Sequence, residues 1–214
     1  MSRFNRSTGY KDGNTKLRVG NYVTIQDGTY NAVWEIAGFD MESNQYAADG
    51  TTFDNGYGIC MIPKTKVTTG QWNPSNTTTG GYKSSYMHTT VLPNIVTKLK
   101  TILGSHIVNR NVLLSSSIDS NGYSNAYTWT TAYATLMSIG QMTGNFAANI
   151  NKYDDGEANY KLPIFNSKDF KTGSKFWSRG VEDAAGACYV SNSYYLGRDT
   201  TSTSYDVRPL IYLR

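Results

Sequence analysis

The chain has 214 residues, of which 39% are apolar, 13% aromatic and only 17% charged, with a formal net charge of +4. That apolar content fills the core of one large domain and excludes a chain disordered throughout. The 20 Lys and Arg are scattered rather than gathered into a run, so no nucleic-acid partner is expected. No membrane partner is expected either: no stretch reaches the ~20 apolar residues that span a bilayer, and "MSRFNRSTGYKDGNTKLRVG" lacks the apolar centre of a signal peptide.

Tyr (17 residues) and Gly (20) are abundant beside Ser, Thr and Asn, the composition of a loop-rich β or α+β protein with a neutral polar surface. Binding loops favour the same residues, because a Tyr ring supplies rigid amphipathic area at low entropic cost.

Residues 1–18 hold Arg3, Arg6, Lys11 and Lys16 without an apolar period. They read as an arm or tether that buries too little to offset its ordering entropy, which leaves 19–214 as the domain. The domain opens on a hairpin: Tyr22 to Ile25, a turn at Gln26-Asp27-Gly28, and a return strand Tyr30 to Ile36. "YGICMIP" reads as a buried strand closed by Pro63, and "TTGQWNPSNTTTGGYKSS" as an ordered loop laid over the core through Trp72.

Two helices are expected next. The first lies within Ser84 to Leu103, where Val91, Ile95, Leu99 and Ile102 recur at helical spacing, Pro93 marks a kink or restart and Gly104 stops it. The second spans Ala126 to Ile139, with Trp129, Ala132, Tyr133, Leu136 and Met137 on one face. A strand, "IVNRNVLLSSS", separates them. The last third, "YKLPIF", "SKFWSRG", "ACYVSNSYYLG" and "YDVRPLIYLR", reads as short strands between turn formers. Helices flanked by strands on both sides define an α+β fold, with the terminal strands pairing.

Signs of catalysis are sparse. His88 and His106 lack a Gly-x-Ser-x-Gly elbow and read as helix-edge or capping residues. Asp154, Asp155 and Glu157 lie within four residues around Gly156; a solvated turn is the plainer reading, with a calcium loop or an acid/base pair as alternatives. Cys60 and Cys188 are far apart in apolar surroundings and read as buried free thiols, with a disulfide as the alternative. No cofactor or metal site is implied.

The final forty residues divide into core and contact. Trp177 and Arg179 share a face if extended, the Trp in the core and the Arg tying down loops; Arg208, before Pro209 and an apolar run, reads the same way. Ser191, Asn192, Ser193, Tyr194, Tyr195, Arg198, Asp199 and Tyr205 read as a contact surface, joined by Glu182 and Asp183, with a solvent-facing hairpin that has no partner as the alternative. Adjacent Tyr194 and Tyr195 alternate faces in a strand, so at least one ring points outward, and an exposed Tyr among hydrogen-bonding groups suits a sugar or a protein epitope.

"FWSRGVEDAAGACYVSNSYYLGRDTTSTSYDVRPLIYLR" resembles the C-terminal hallmark of the domain of unknown function 6273 family, found in clostridial surface proteins and in proteins of their phages and prophages. "WNPSNTTTGGY", "LLSS", "LMSIGQMTG" and "KYDDGEANYKL" extend the likeness over roughly residues 20–214. The resemblance implies a C-type-lectin-like fold: two helices flanking a small twisted, mainly antiparallel sheet, with N- and C-terminal strands paired and long loops presenting a ligand face. Calcium-lectin motifs and the close cysteine pair of the related oxidising enzymes are absent. Asn, Tyr, Ser, Asp and Thr in the tail are residues that adenine-directed retroelement diversification yields.

The expectation is a non-enzymatic phage virion component, a fibre, tail-tip or decoration protein, assembled in the host cytoplasm and acting outside the cell. Its partners are a host-surface glycan or protein at the C-terminal loops and other virion proteins at the arm, in a homo-oligomer for which a trimer is the common form of fibres. A purely structural capsid or tail decoration protein without host ligand is the alternative, and a glycan-acting enzyme using Asp154, Asp155 or Glu157 a third reading.

Overall fold

The computed structural model describes residues 11–12, 15–39, 58–144, 161–169, 173–191 and 196–214. Most of the arm, the acidic cluster Asp154, Asp155 and Glu157, and Asn192, Ser193, Tyr194 and Tyr195 lie outside the described residues. Lys11–Asp12 (β1) and Thr15–Lys16 (β2) form a two-residue antiparallel ladder within the arm, and Leu17 and Val19 already pack against the core.

The expected hairpin is present as Tyr22–Ile25 (β3) and Ala32–Phe39 (β4). Its turn forms because one Asp27 oxygen accepts from the N–H groups of Thr29 and Tyr30, both at 2.6 Å, the local bonding that makes Asp a turn residue. Ile59–Pro63 (β5) pairs with β4, and Thr68–Gln71 (β6) follows. The loop after β6 drapes Trp72 into the core, fully buried, with its Nε1 donating to the Ser178 carbonyl at 3.3 Å.

A π-helical turn at Met87–Val91 runs into Leu92–Leu103 (α1). Pro93 stands in the first turn of α1 and, having no N–H, cannot continue the hydrogen bonds of the π-helical turn, and Gly104 ends the helix with φ +56. Leu92, Ile95, Val96 and Leu99 are buried, each worth about 2 kcal/mol in transferred apolar surface. Ile102, expected on the same face, is exposed.

The second expected helix is instead a hairpin. Arg110–Ile118 (β7) pairs antiparallel with Ser124–Ala132 (β8), and Ala134–Leu136 (β9) follows after a break at Tyr133. The physical reason lies in "YTWTT": aromatic and β-branched side chains are crowded in a helix and suit a pleated surface. Only Ile139–Thr143 (α2) is helical, started by a capping box in which Gln141 N donates to Ser138 Oγ and Ser138 N to Gln141 Oε1, both at 3.0 Å. The described part of "YKLPIF", from Lys161, is likewise no strand; Pro163–Asn166 is a 3-10 turn started by its proline.

Phe176–Val181 (β10), Gly186–Val190 (β11), Leu196–Thr200 (β12), Ser204–Val207 (β13) and Pro209–Leu213 (β14) are the remaining strands among the described residues. One sheet runs β3-β4-β5-β14-β9, antiparallel throughout; the other runs β12-β11-β10-β13-β6, with only β10 and β13 parallel. Among the described residues the fold is thus mixed α+β with mainly antiparallel sheets and one long helix. The terminal strands share a sheet without pairing: β3 is at the edge and β14 lies between β5 and β9, because β3, β4 and β5 form a meander. Trp34, Phe39, Trp72, Tyr82, Phe176, Trp177 and Tyr212 fill the core. Cys60 in β5 and Cys188 in β11 are buried free thiols, and burial pushes the Cys188 thiol well above its usual range.

Candidate functional site

The second sheet gathers the polar aromatic residues. Trp177 in β10 stands opposite Tyr189 in β11, which stands opposite Gly197 in β12, so these positions share one face. Gly197 is what lets the Tyr189 ring lie across the neighbouring strand, for a Cβ there would come within 2.5 Å of Tyr189 Cζ. Tyr205, from β13, closes the group, its ring centroid 5.0 Å from Tyr189 and 4.7 Å from Trp177. Trp177 is the buried base, anchored by its Nε1 donating to the Gly70 carbonyl at 3.0 Å.

Polar groups ring this cluster. The exposed Lys175 ammonium lies 4.5 Å from the Tyr189 centroid and 5.2 Å from that of Tyr205, and donates to the Tyr205 hydroxyl at 3.2 Å. That bond, with one to Tyr189, raises the lysine above its usual range. The Tyr205 hydroxyl donates to the Asp199 carboxylate, which also accepts from Thr200 N at 2.7 Å and Thr203 Oγ1 at 3.3 Å. The Tyr205 bond, ahead of the opposing effect of burial, holds Asp199 below the usual carboxylate range; burial and then Asp199 raise the Tyr205 phenol. Two half-buried rings, a phenol, an ammonium and a carboxylate therefore meet on one rim, a set that stacks on a ring-shaped ligand and hydrogen-bonds its edge.

The other expected contact residues lie elsewhere. Arg198 forms an ion pair with Asp183. Burial works against the Asp183 charge, yet the Ala185 N–H and the Arg198 guanidinium hold its pKa below the usual range. The turn carrying Glu182 and Asp183 is clamped from outside: Thr78 Oγ1 donates to the Asp183 carbonyl at 2.6 Å and Thr78 N to that of Ala184 at 3.0 Å. Asp183 and Arg198 thus tie the β10–β11 turn to β12. Ser191 is only 7% exposed at the end of β11, a packing position.

Trp177, Arg179 and Arg208 are all buried. Arg208 lies where β13 hands the chain to β14, its guanidinium 4.7 Å over the Phe176 ring. Burial lowers its pKa to about 10, with Glu35 and Asp206 opposing. Of the histidines, His88 lies in the π-helical turn with its ring 5.2 Å from Tyr82, and His106 Nδ1 is 3.1 Å from the Arg214 carbonyl. Among the described residues no group of three or more His, Cys, Asp and Glu side chains is placed to hold a metal ion, and no helix is long and apolar enough to cross a membrane.

Sequence reasoning found Asp199 and Tyr205 and missed Lys175, Tyr189 and Gly197. The available signal was the alternation Ala187, Tyr189 in "ACYV", which places the tyrosine on one face of its strand. No protein-family model, curated protein or solved structure matches the chain.

Proposed function

We propose that the chain is a non-enzymatic phage or prophage virion component, a fibre, tail-tip or decoration protein, whose C-type-lectin-like domain binds a glycan or protein of the host surface. The observation that carries this reading is the rim of Tyr189 and Tyr205 with Lys175 and Asp199. Aromatic faces bordered by a few convergent polar groups are the usual make-up of a sugar subsite. The α+β layout with mainly antiparallel sheets and the resemblance of the C-terminal segment to the 6273 family support the finer fold and the virion setting. The arm at residues 1–18 would dock the domain to the particle or to sister subunits, in a homo-oligomer.

The reading is tested by applying the full chain to a glycan array and to bacterial cells. Saturable binding that Tyr189→Ala abolishes, while Ile102→Ala leaves it intact, supports it. Failure to bind any surface, together with retention on purified particles, favours a purely structural decoration role, in which Lys175, Tyr205 and Asp199 merely bond one another. Glycan turnover by the purified chain would instead establish the enzyme reading.

A further inference from the structure

A groove of about 290 Å³ lies between α1 and the junction of β8 with β9, and it shares no lining residue with the Tyr189–Tyr205 rim. His88, Leu92, Val96 and Lys100 line one wall at intervals of four residues, one stripe along the π-helical turn and α1. The opposite wall comes from residues 131–134. Leu92, Val96, Ala132 and Ala134 are all buried, so the groove has an apolar floor. The two alanines hold it open, where larger side chains would fill it.

The charges of the lining are one-sided. No Asp or Glu is among the lining residues. The Lys100 ammonium lies 3.4 Å from the Tyr133 ring centroid, and no carboxylate among the described residues pairs with it. His88 adds no charge near neutral pH: burial, then Arg179 and Lys83, lower its pKa to about 4. Its Nδ1 is buried without a hydrogen-bond partner among the described residues, inside a π-helical turn, an element that recurs at functional sites.

We propose that this groove is a binding site for a small amphiphilic anion: an apolar body seated on Leu92, Val96, Ala132 and Ala134, with one carboxylate held by Lys100. At roughly 30 Å³ for each water-sized group, the groove takes about ten non-hydrogen atoms. That is the size of a medium-chain fatty carboxylate or an aryl-alkyl carboxylate. Lys100 is held over Tyr133 in the free protein, so the cation is in place before the ligand arrives.

The test is a titration of the isotope-labelled full chain, followed by amide shifts, with octanoate, with 3-phenylpropionate, and with octanol as the uncharged counterpart of the first. Ligands this small bind with Kd of about 1 mM. The expected result is saturable shifts confined to residues 88–100 and 131–134, with octanoate about tenfold tighter than octanol. Lys100→Gln, on the partly exposed side of the helix, should leave the spectrum folded and remove that tenfold preference. The tighter of the two carboxylates identifies an alkyl or an aryl body, and either supports the site. Absence of saturable shifts with both carboxylates, or octanoate and octanol binding equally in both proteins, overturns it.

Discussion

The guanidinium of Arg208 donates from Nε at 3.3 Å and from Nη2 at 3.2 Å to the carbonyl of Pro63, the last residue of β5. Arg208 is the residue between β13 and β14, hence between the two large sheets. One side chain therefore fastens the crossing of the chain to a strand laid down far earlier.

Removing that fastening should be costly. Arg208→Ala leaves the Pro63 carbonyl without its donors and a void beside Phe176, and the expected loss is about 2–4 kcal/mol. Urea unfolding of the variant should show a lower midpoint at unchanged slope.

Gly122 gives a contrast between two glycines of similar conformation. Its φ is +83, and a Cβ would come within 2.3 Å of Ala184 N, where the β7–β8 tip meets the turn of Asp183. Gly28 has φ +84 and nothing within 4 Å. Gly28→Ala should cost about 1 kcal/mol from backbone strain alone, and Gly122→Ala more, about 2–3 kcal/mol, because backbone must move as well. Thermal unfolding of the two variants side by side checks the order.

His88 makes stability depend on pH in a defined window. Its folded pKa, about 4, lies below its ordinary value of 6.5, so between these values the unfolded chain binds the extra proton. The contribution of the neutral buried ring is fully present above pH 6.5 and is lost as pH falls towards 4, at most roughly 3 kcal/mol. His88→Phe should lack this part of the slope. Denaturant midpoints of both proteins from pH 4 to pH 7 measure the difference, in which the effect of the carboxylates cancels.

Tyr205→Phe should separate the rim from its polar edge. Without the phenol, Asp199 loses the largest influence holding its pKa down, and its carboxyl should titrate at higher pH by carbon-detected NMR. The Phe ring keeps its place against Trp177 and Tyr189, so stability should fall by only about 1 kcal/mol.

Local chemistry was legible in the sequence where a few residues decide the structure. Asp27-Gly28 marked a turn, Pro93 and Gly104 bounded α1, and the run to Pro63 was a buried strand. The hairpin over 110–132 was misread in its second arm because Trp129, Ala132, Tyr133, Leu136 and Met137 reach helical spacing only when two strands and the break between them are joined. At the rim, Asp199 and Tyr205 were legible as polar residues near a turn. Tyr189 and Lys175 were not, since what unites them is the pairing of Tyr189 with Gly197 and the return of β13 beside β10, neither of which leaves a mark in the neighbouring sequence.

The placing of β14 between β5 and β9 also governs the order of assembly. Synthesised after the other four strands of its sheet, β14 occupies the interior of that sheet, so β5 and β9 have no common partner until residues 209–213 have left the ribosome. Folding of this sheet then waits on β14, whose contacts with β5 are distant in sequence, which slows the search. Until that moment the flanks of β5 and β9 are open edges, the kind of surface that attracts chaperones or neighbouring chains.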